Sequence, residues 1–208
     1  MDRARAMARG SVYVALWLGL ACASCGFPSI SSSPQVTQYD FGPDPAKGSA
    51  PALRQALLVY DVNAPAWLDS QYIFYRLAYQ DAARPQAYAD SRWVASPGEL
   101  IAARVRGRLA ASEKGGVIHP ADGTRASYAL RIELDEFNQV FDAPGKSRAV
   151  VRLRASVLGK SALVAQKSFS AERAAATPDA EGGVRALIAA SDEVVEQLVA
   201  WTVASLKD

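Results

Sequence analysis

Histidine is almost missing from this chain: His119 is the only one among 208 residues. A metal centre built on two imidazoles is thereby excluded. Cysteine is nearly as scarce, and Cys22 and Cys25 both fall within the first 25 residues. A chain cut ahead of Cys25 has no second thiol for a disulfide and no thiolate cluster for a metal. Glycine-rich phosphate loops are absent, because neither Gly115-Gly116 nor Gly182-Gly183 has the necessary spacing. No Gly-x-Ser-x-Gly elbow accompanies His119. The apolar run from Ser11 to Ala21 is well short of the ~20 residues that span a bilayer. Charge of one sign is not in excess either, with 23 basic and 21 acidic residues. Residues 1–24 carry three of those arginines and one aspartate, so without them the two signs balance. Nothing in that balance points to nucleic acid.

What is present begins at the N-terminus. Arg3, Arg5 and Arg9 precede the apolar run SVYVALWLGLA, and Ala23-Ser24 supplies small residues before Cys25 and Gly26. This is the grammar of a secretion signal. A cysteine at the cut indicates a lipid attachment point. Cys22 stands at the outer lipobox position, where leucine is usual, while Cys22 itself follows Gly19-Leu20-Ala21. Small residues on both sides of the cut favour Cys25 as the acylated residue; an ordinary cleaved signal with an incidental cysteine is the alternative. The reading is a signal peptide over 1–24, a lipidated tether over 25–34 and one α+β domain over 35–208. The tether stretch FPSISSSP (27–34) reaches up to about 26 Å when extended. The roughly 184 residues after the signal suit a single core.

Along the domain, Val36–Phe41, Ala56–Val62 and Ile73–Tyr79 read as strands, with Ala87–Trp93 as a short addition and residues 44–52 as a loop. In the third, Phe74 and Arg76 share one face and Ile73, Tyr75, Leu77 and Tyr79 the other. A helix follows: Ser96 as N-cap, Pro97 at the first position and Glu99 closing a capping box. Ile101, Val105 and Leu109 form its buried stripe, with Arg104, Arg106 and Arg108 mostly outside it. Three strands come next as a meander. Tyr128 to Asp135 alternates, Asp142 to Lys146 turns, Val151 to Val157 alternates, and Ala162 to Ala171 completes it. Thr177-Pro178 caps a last helix with Leu187, Val194, Leu198 and Trp201 on its apolar stripe, and Gly182-Gly183 argues against a regular first turn. The expected fold is α+β: a mainly antiparallel sheet, in order β-β-β-α-β-β-β-α, with two helices packed on one face.

The segment APAWLDSQYIFYRLAYQDAARPQAYADSRWVASPGEL (64–100) resembles the ABC-type transport auxiliary lipoproteins, the group that contains the paraquat-inducible outer-membrane lipoprotein. The likeness lies in Ala64-Pro65 with Trp67-Leu68-Asp69, Tyr75-Arg76-Leu77 with Tyr79, Tyr88-Ala89, Ser91-Arg92-Trp93, and Pro97 with Leu100. Tyr39-Asp40-Phe41-Gly42 is similar to the family's opening strand. The resemblance implies a non-enzymatic role in lipid transport between membranes that supports membrane integrity. It also implies docking onto an MCE-domain periplasmic transporter and no cofactor. Gly26, rather than aspartate, after the lipidated cysteine implies the periplasmic face of the outer membrane.

Beside that reading stand the residues that carry chemistry. His119, in a Gly-Gly-Val-Ile-His-Pro loop, is the one side chain that could serve as base for a periplasmic hydrolase. Glu133, Asp135 and Glu136 cluster near a strand end, where Arg152 and Arg154 on the next strand offer cross-strand charge pairing in place of acid–base chemistry. Trp67, Tyr72, Tyr75, Tyr79, Tyr88, Arg92 and Trp93 are the candidate partner-binding residues, because aromatic and arginine side chains dominate interfaces. Core packing against the first helix is the favoured reading of several of these residues, and docking remains because half of a strand's side chains face away from the core. A module that carries lipid directly in an apolar groove is a further alternative.

Overall fold

The computed structural model of the protein describes residues 35–45, 53–111 and 116–206. The signal, Cys22, Cys25, the tether to Pro34, residues 46–52 of the expected loop and Gly115 lie outside the described residues. In chain order the elements begin with β1 (Thr37–Tyr39), β2 (Leu57–Val59), β3 (Tyr72–Leu77), α1 (Ala78–Asp81), β4 (Pro85–Trp93) and α2 (Pro97–Ala110). They continue with β5 (Val117–Ile118), β6 (Tyr128–Ala143), β7 (Lys146–Leu158), β8 (Leu163–Ala174) and α3 (Ala180–Ser205).

β6 is the spine of one eight-stranded sheet. On one side it runs antiparallel to β7, from Ala129↔Leu158 to Ala143↔Lys146, and β7 runs antiparallel to β8. Gly145 makes the tight turn at φ 75°, a left-handed conformation that glycine adopts without a Cβ clash. The other side of β6 is shared. β2 lies parallel along its beginning (Leu57↔Tyr128) and β3 parallel along its end (Tyr75↔Gln139). β5 flanks β2 in parallel, β4 pairs antiparallel with β3, and β1 closes parallel on β4.

The sheet is therefore mixed, which corrects the expectation of a mainly antiparallel one, and the expected element order does not hold. The short turns of the β6–β7–β8 meander enforce antiparallel neighbours. The N-terminal strands instead meet β6 across long stretches of chain, and nothing local sets their direction. Two small elements also depart from expectation. Ala78 and Tyr79 leave the strand to start α1, and β5 is a two-residue strand that periodicity could not reveal.

β6 continues past Asp135 to Ala143, with a register shift between Leu134 and Glu136. Leu130, Ile132 and Leu134 face the core before that irregularity, and Phe137 and Gln139 face it afterwards. An extra residue exchanges the two faces of a strand, so the alternation read from the start of β6 fails at its end.

α2 starts as its sequence demands. Glu99 N–H donates to Ser96 Oγ at 3.4 Å and Ser96 N–H donates to Glu99 Oε2 at 2.9 Å. Ile101, Val105 and Leu109 are buried, but so are Arg104 and Arg108, which corrects their assignment outside the stripe. Arg108 donates to both oxygens of Asp44, at 2.9 Å each from Nε and Nη2, and to Asp192 Oδ1 at 2.7 Å. Arg104 donates to the Phe41 carbonyl at 2.6 Å. Burial pushes the Asp192 carboxyl up, against the pull of both arginines. These side chains tie α2 to α3 and to the chain after β1.

α3 lies on β6, β7 and β8 and touches α2. Its cap is Asp179, not Thr177-Pro178: Gly182 N–H and Thr177 Oγ1 both donate to Asp179 Oδ1 at 2.8 Å. The two glycines belong to the helix itself. A Cβ on Gly182 would stand 2.2 Å from the Thr177 carbonyl oxygen, so the capping loop crosses where only glycine leaves room.

Candidate functional site

The alternation of β3 divides the aromatic segment into two sets. Ile73 and Tyr75 face inward. Tyr75 meets Tyr88 at 4.7 Å between ring centroids and Phe141 at 5.9 Å, and its hydroxyl donates to Gln86 Oε1 at 3.0 Å. The Tyr88 hydroxyl donates to Gln139 Oε1 at 2.8 Å, and Gln139 Nε2 donates to Ser147 Oγ at 2.8 Å. Burial raises the Tyr88 phenol well above its ordinary value, with Tyr75 and Asp179 adding to the effect. Trp93 is completely buried, edge-on to Phe41 and Phe137 at 5.7 Å each. As a partner-binding residue Trp93 is corrected: it is core. Tyr75 and Tyr88 are half-buried members of the same inner layer.

Facing outward is a continuous strip. The Arg92 guanidinium sits 4.3 Å over the Tyr72 ring, Tyr72 lies 6.1 Å from Phe74, and Phe74 lies 5.3 Å from Trp67. The Arg76 guanidinium then stands 5.3 Å from the centre of the Trp67 ring. Tyr72 is 46% exposed, and Tyr79, on α1, is 41% exposed. Arg92 Nη1 donates only to the carbonyls of Tyr88 and Ser91, and Arg76 Nη1 donates to that of Ala82. Among the described residues no carboxylate reaches either guanidinium. Phe74 and Arg76 were not among the partner-binding candidates, although the period-two pattern of β3 places them beside Tyr72.

The strip ends at an open groove of about 470 Å³ whose walls include Trp67, Arg76, Glu136, Arg148 and Arg152 over Val140 and Val150. The parallel β3–β6 pairing brings these walls together, and no local sequence signal announces it. Glu136 pairs with Arg152 at 2.7 Å, and Arg148 pairs with Asp142 at 3.1 Å and with Glu172 at 3.4 Å. Glu133 pairs with Arg154. The carboxylate cluster thus serves cross-strand pairing, with Glu136 rather than Asp135 opposite Arg152 because of the register shift. The groove thus combines charged walls with an apolar floor.

His119 is committed elsewhere. Its Nδ1 accepts the Ala121 N–H at 3.2 Å, and Nε2 faces Asp61 Oδ1 at 3.3 Å. With Nδ1 as acceptor, Nε2 is the ring atom that faces the carboxylate. His119 first, and Arg106 after it, hold the Asp61 carboxyl below its ordinary value. Among the described residues no cluster of His, Cys, Asp and Glu could hold a metal ion, and no helix is long and apolar enough to cross a membrane.

The family model described as ABC-type transport auxiliary lipoprotein component matches residues 39–199. Among solved structures, protein XCC0632 from Xanthomonas campestris is 23% identical, with 83% of this chain and 94% of that one covered at a TM-score of 0.66. An uncharacterised protein is 12% identical over 79% of this chain and 97% of its own, at a TM-score of 0.62. The hypothetical protein CT253 from Chlamydia trachomatis is 10% identical over 73% and 97%, at 0.51. These three share the fold. No curated protein sequence matches the chain.

Proposed function

We propose, because the chain belongs to the family of ABC-type transport auxiliary lipoprotein components, that it docks a transporter at the outer membrane and performs no catalysis itself. Acylation of Cys25 holds the domain at the periplasmic face. The partner is an MCE-domain protein that carries lipid across the periplasm, and the pairing supports membrane integrity. The observation that carries this reading is the outward strip of Arg92, Tyr72, Phe74, Trp67 and Arg76. It consists of side chains that dominate interfaces, four of them on the β3–β4 pair and Trp67 on the turn before it, with no helix or strand over them among the described residues. Tyr79, on α1, is a further exposed aromatic for the partner.

Two measurements test it. Mass spectrometry of the mature N-terminus is expected to find a triacylated Cys25; an unmodified residue there refutes the anchoring. Replacing Trp67 and Tyr72 by alanine is expected to weaken co-purification of the MCE-domain partner while the thermal transition stays nearly unchanged. Full retention of the partner by that variant refutes the docking face.

A further inference from the structure

Resting on that reading of the strip as a docking face, we infer that its occupant is an acidic segment of a protein partner. The segment is extended, with two carboxylates flanking an apolar stretch. Tyr72, Phe74 and Arg76 occupy alternate positions of β3, and Arg92 pairs with Tyr72 across the ladder. Four residues of strand separate the two guanidinium groups, about 13 Å along β3 at the usual rise. Between them lie only aromatic rings. Three arginines on the outer face of β7, Arg148, Arg152 and Arg154, have carboxylate partners, while Arg131 on β6 lies 5.0 Å over the Tyr60 ring, away from the strip. Arg76 and Arg92 instead lie against ring faces and donate to backbone carbonyls, and among the described residues neither forms an ion pair, although Asp135 and Glu136 line the groove beside Arg76.

The complement of two positive ends and an aromatic middle is a strand with carboxylates four residues apart and an apolar side chain between them on the same face. Such a segment sets one carboxylate beside each guanidinium and its middle side chain over Phe74. The groove beyond Arg76 leaves room for the chain to continue.

The probe is a capped pentapeptide, Glu-Val-Ile-Val-Glu, titrated into the full mature chain in detergent micelles and followed by NMR at the Trp67 indole and the Tyr72 ring. The same peptide with glutamine at both ends is the control. The acidic peptide is expected to shift both signals and to bind about tenfold more tightly than the control, an advantage that falls as salt is raised. Combined Arg76→Gln and Arg92→Gln should abolish that advantage, whereas Arg76→Lys with Arg92→Lys, which keeps the charge, should retain most of it. Equal affinity for both peptides, or no shift with either, overturns the inference. Dihexanoyl phosphatidylglycerol shifting these signals at lower concentration than the acidic peptide overturns it as well and makes the face a lipid contact. The docking reading is decided separately, by co-purification of the Trp67 and Tyr72 alanine variants.

Discussion

Gly183, in the first turn of α3, provides the sharpest test of how this domain is packed. An ideal Cβ built there would stand 2.0 Å from Gln139 Oε1, 2.6 Å from Cδ and 3.2 Å from Nε2. Glycine to alanine inside a helix normally gains about 1 kcal/mol. Here the methyl group meets a side chain with no solvent to escape into, because Gln139 is completely buried. Moving it breaks the bonds to Tyr88 and Ser147, each worth about 0.5–1.5 kcal/mol. Overpacking adds about 1–3 kcal/mol. Set against the helix gain, Gly183→Ala should lose about 3 kcal/mol. For a domain of this size that corresponds to a fall in Tm of about 6–12 °C. The urea midpoint should drop with an unchanged slope. In a Gln139→Ala background the same substitution has space, and should be neutral or stabilising by up to about 1 kcal/mol. A Gly183→Ala protein that unfolds at the parent midpoint or above it would refute the argument.

Trp93→Ala should cost about 3–5 kcal/mol, as removal of a buried aromatic does, while Tyr72→Ala should cost about 1 kcal/mol or less; equal losses in denaturant titrations would contradict the two-faced reading of this segment. Asp179 is held below the ordinary carboxyl value of 3.8, first by the Gly182 N–H and then by Thr177. A depressed native pKa contributes stability that is present above that value and is lost as pH falls through the lower native one. Asp179→Asn should therefore flatten the dependence of the urea midpoint on pH between about pH 5 and pH 2, and an unchanged acid limb would remove Asp179 from that role.

How much of this was legible depended on the range of the signal. The capping box at Ser96 and Glu99 spans three residues, and it stands as read. The inward and outward faces from Ile73 to Leu77 follow from alternation within β3 and stand, whereas Tyr79 leaves the strand. β6 was legible only as far as Asp135, because one extra residue exchanges the faces beyond it. Arg104 and Arg108 look like surface residues in sequence; they are buried because Asp44 and Asp192, from distant parts of the chain, neutralise them. Gly182-Gly183 reads as a weak helix start, yet close approach by Thr177 and Gln139 requires those glycines. The site was half visible in the same way. The aromatic segment announced itself by composition, but which rings face out depended on pairing. The groove beyond Arg76 exists only because β3 lies beside the far end of β6.

That divided edge has a consequence for assembly of the molecule. In the chain β2, β3 and β4 all precede β6, and residues 128–143 come later. The β3–β4 ribbon has a partner of its own, but neither it nor β2 has the central template that completes the sheet until β6 arrives. Unpaired ribbons of this kind are sticky. Closure of the sheet is a late event in folding, governed by contacts between distant parts of the sequence.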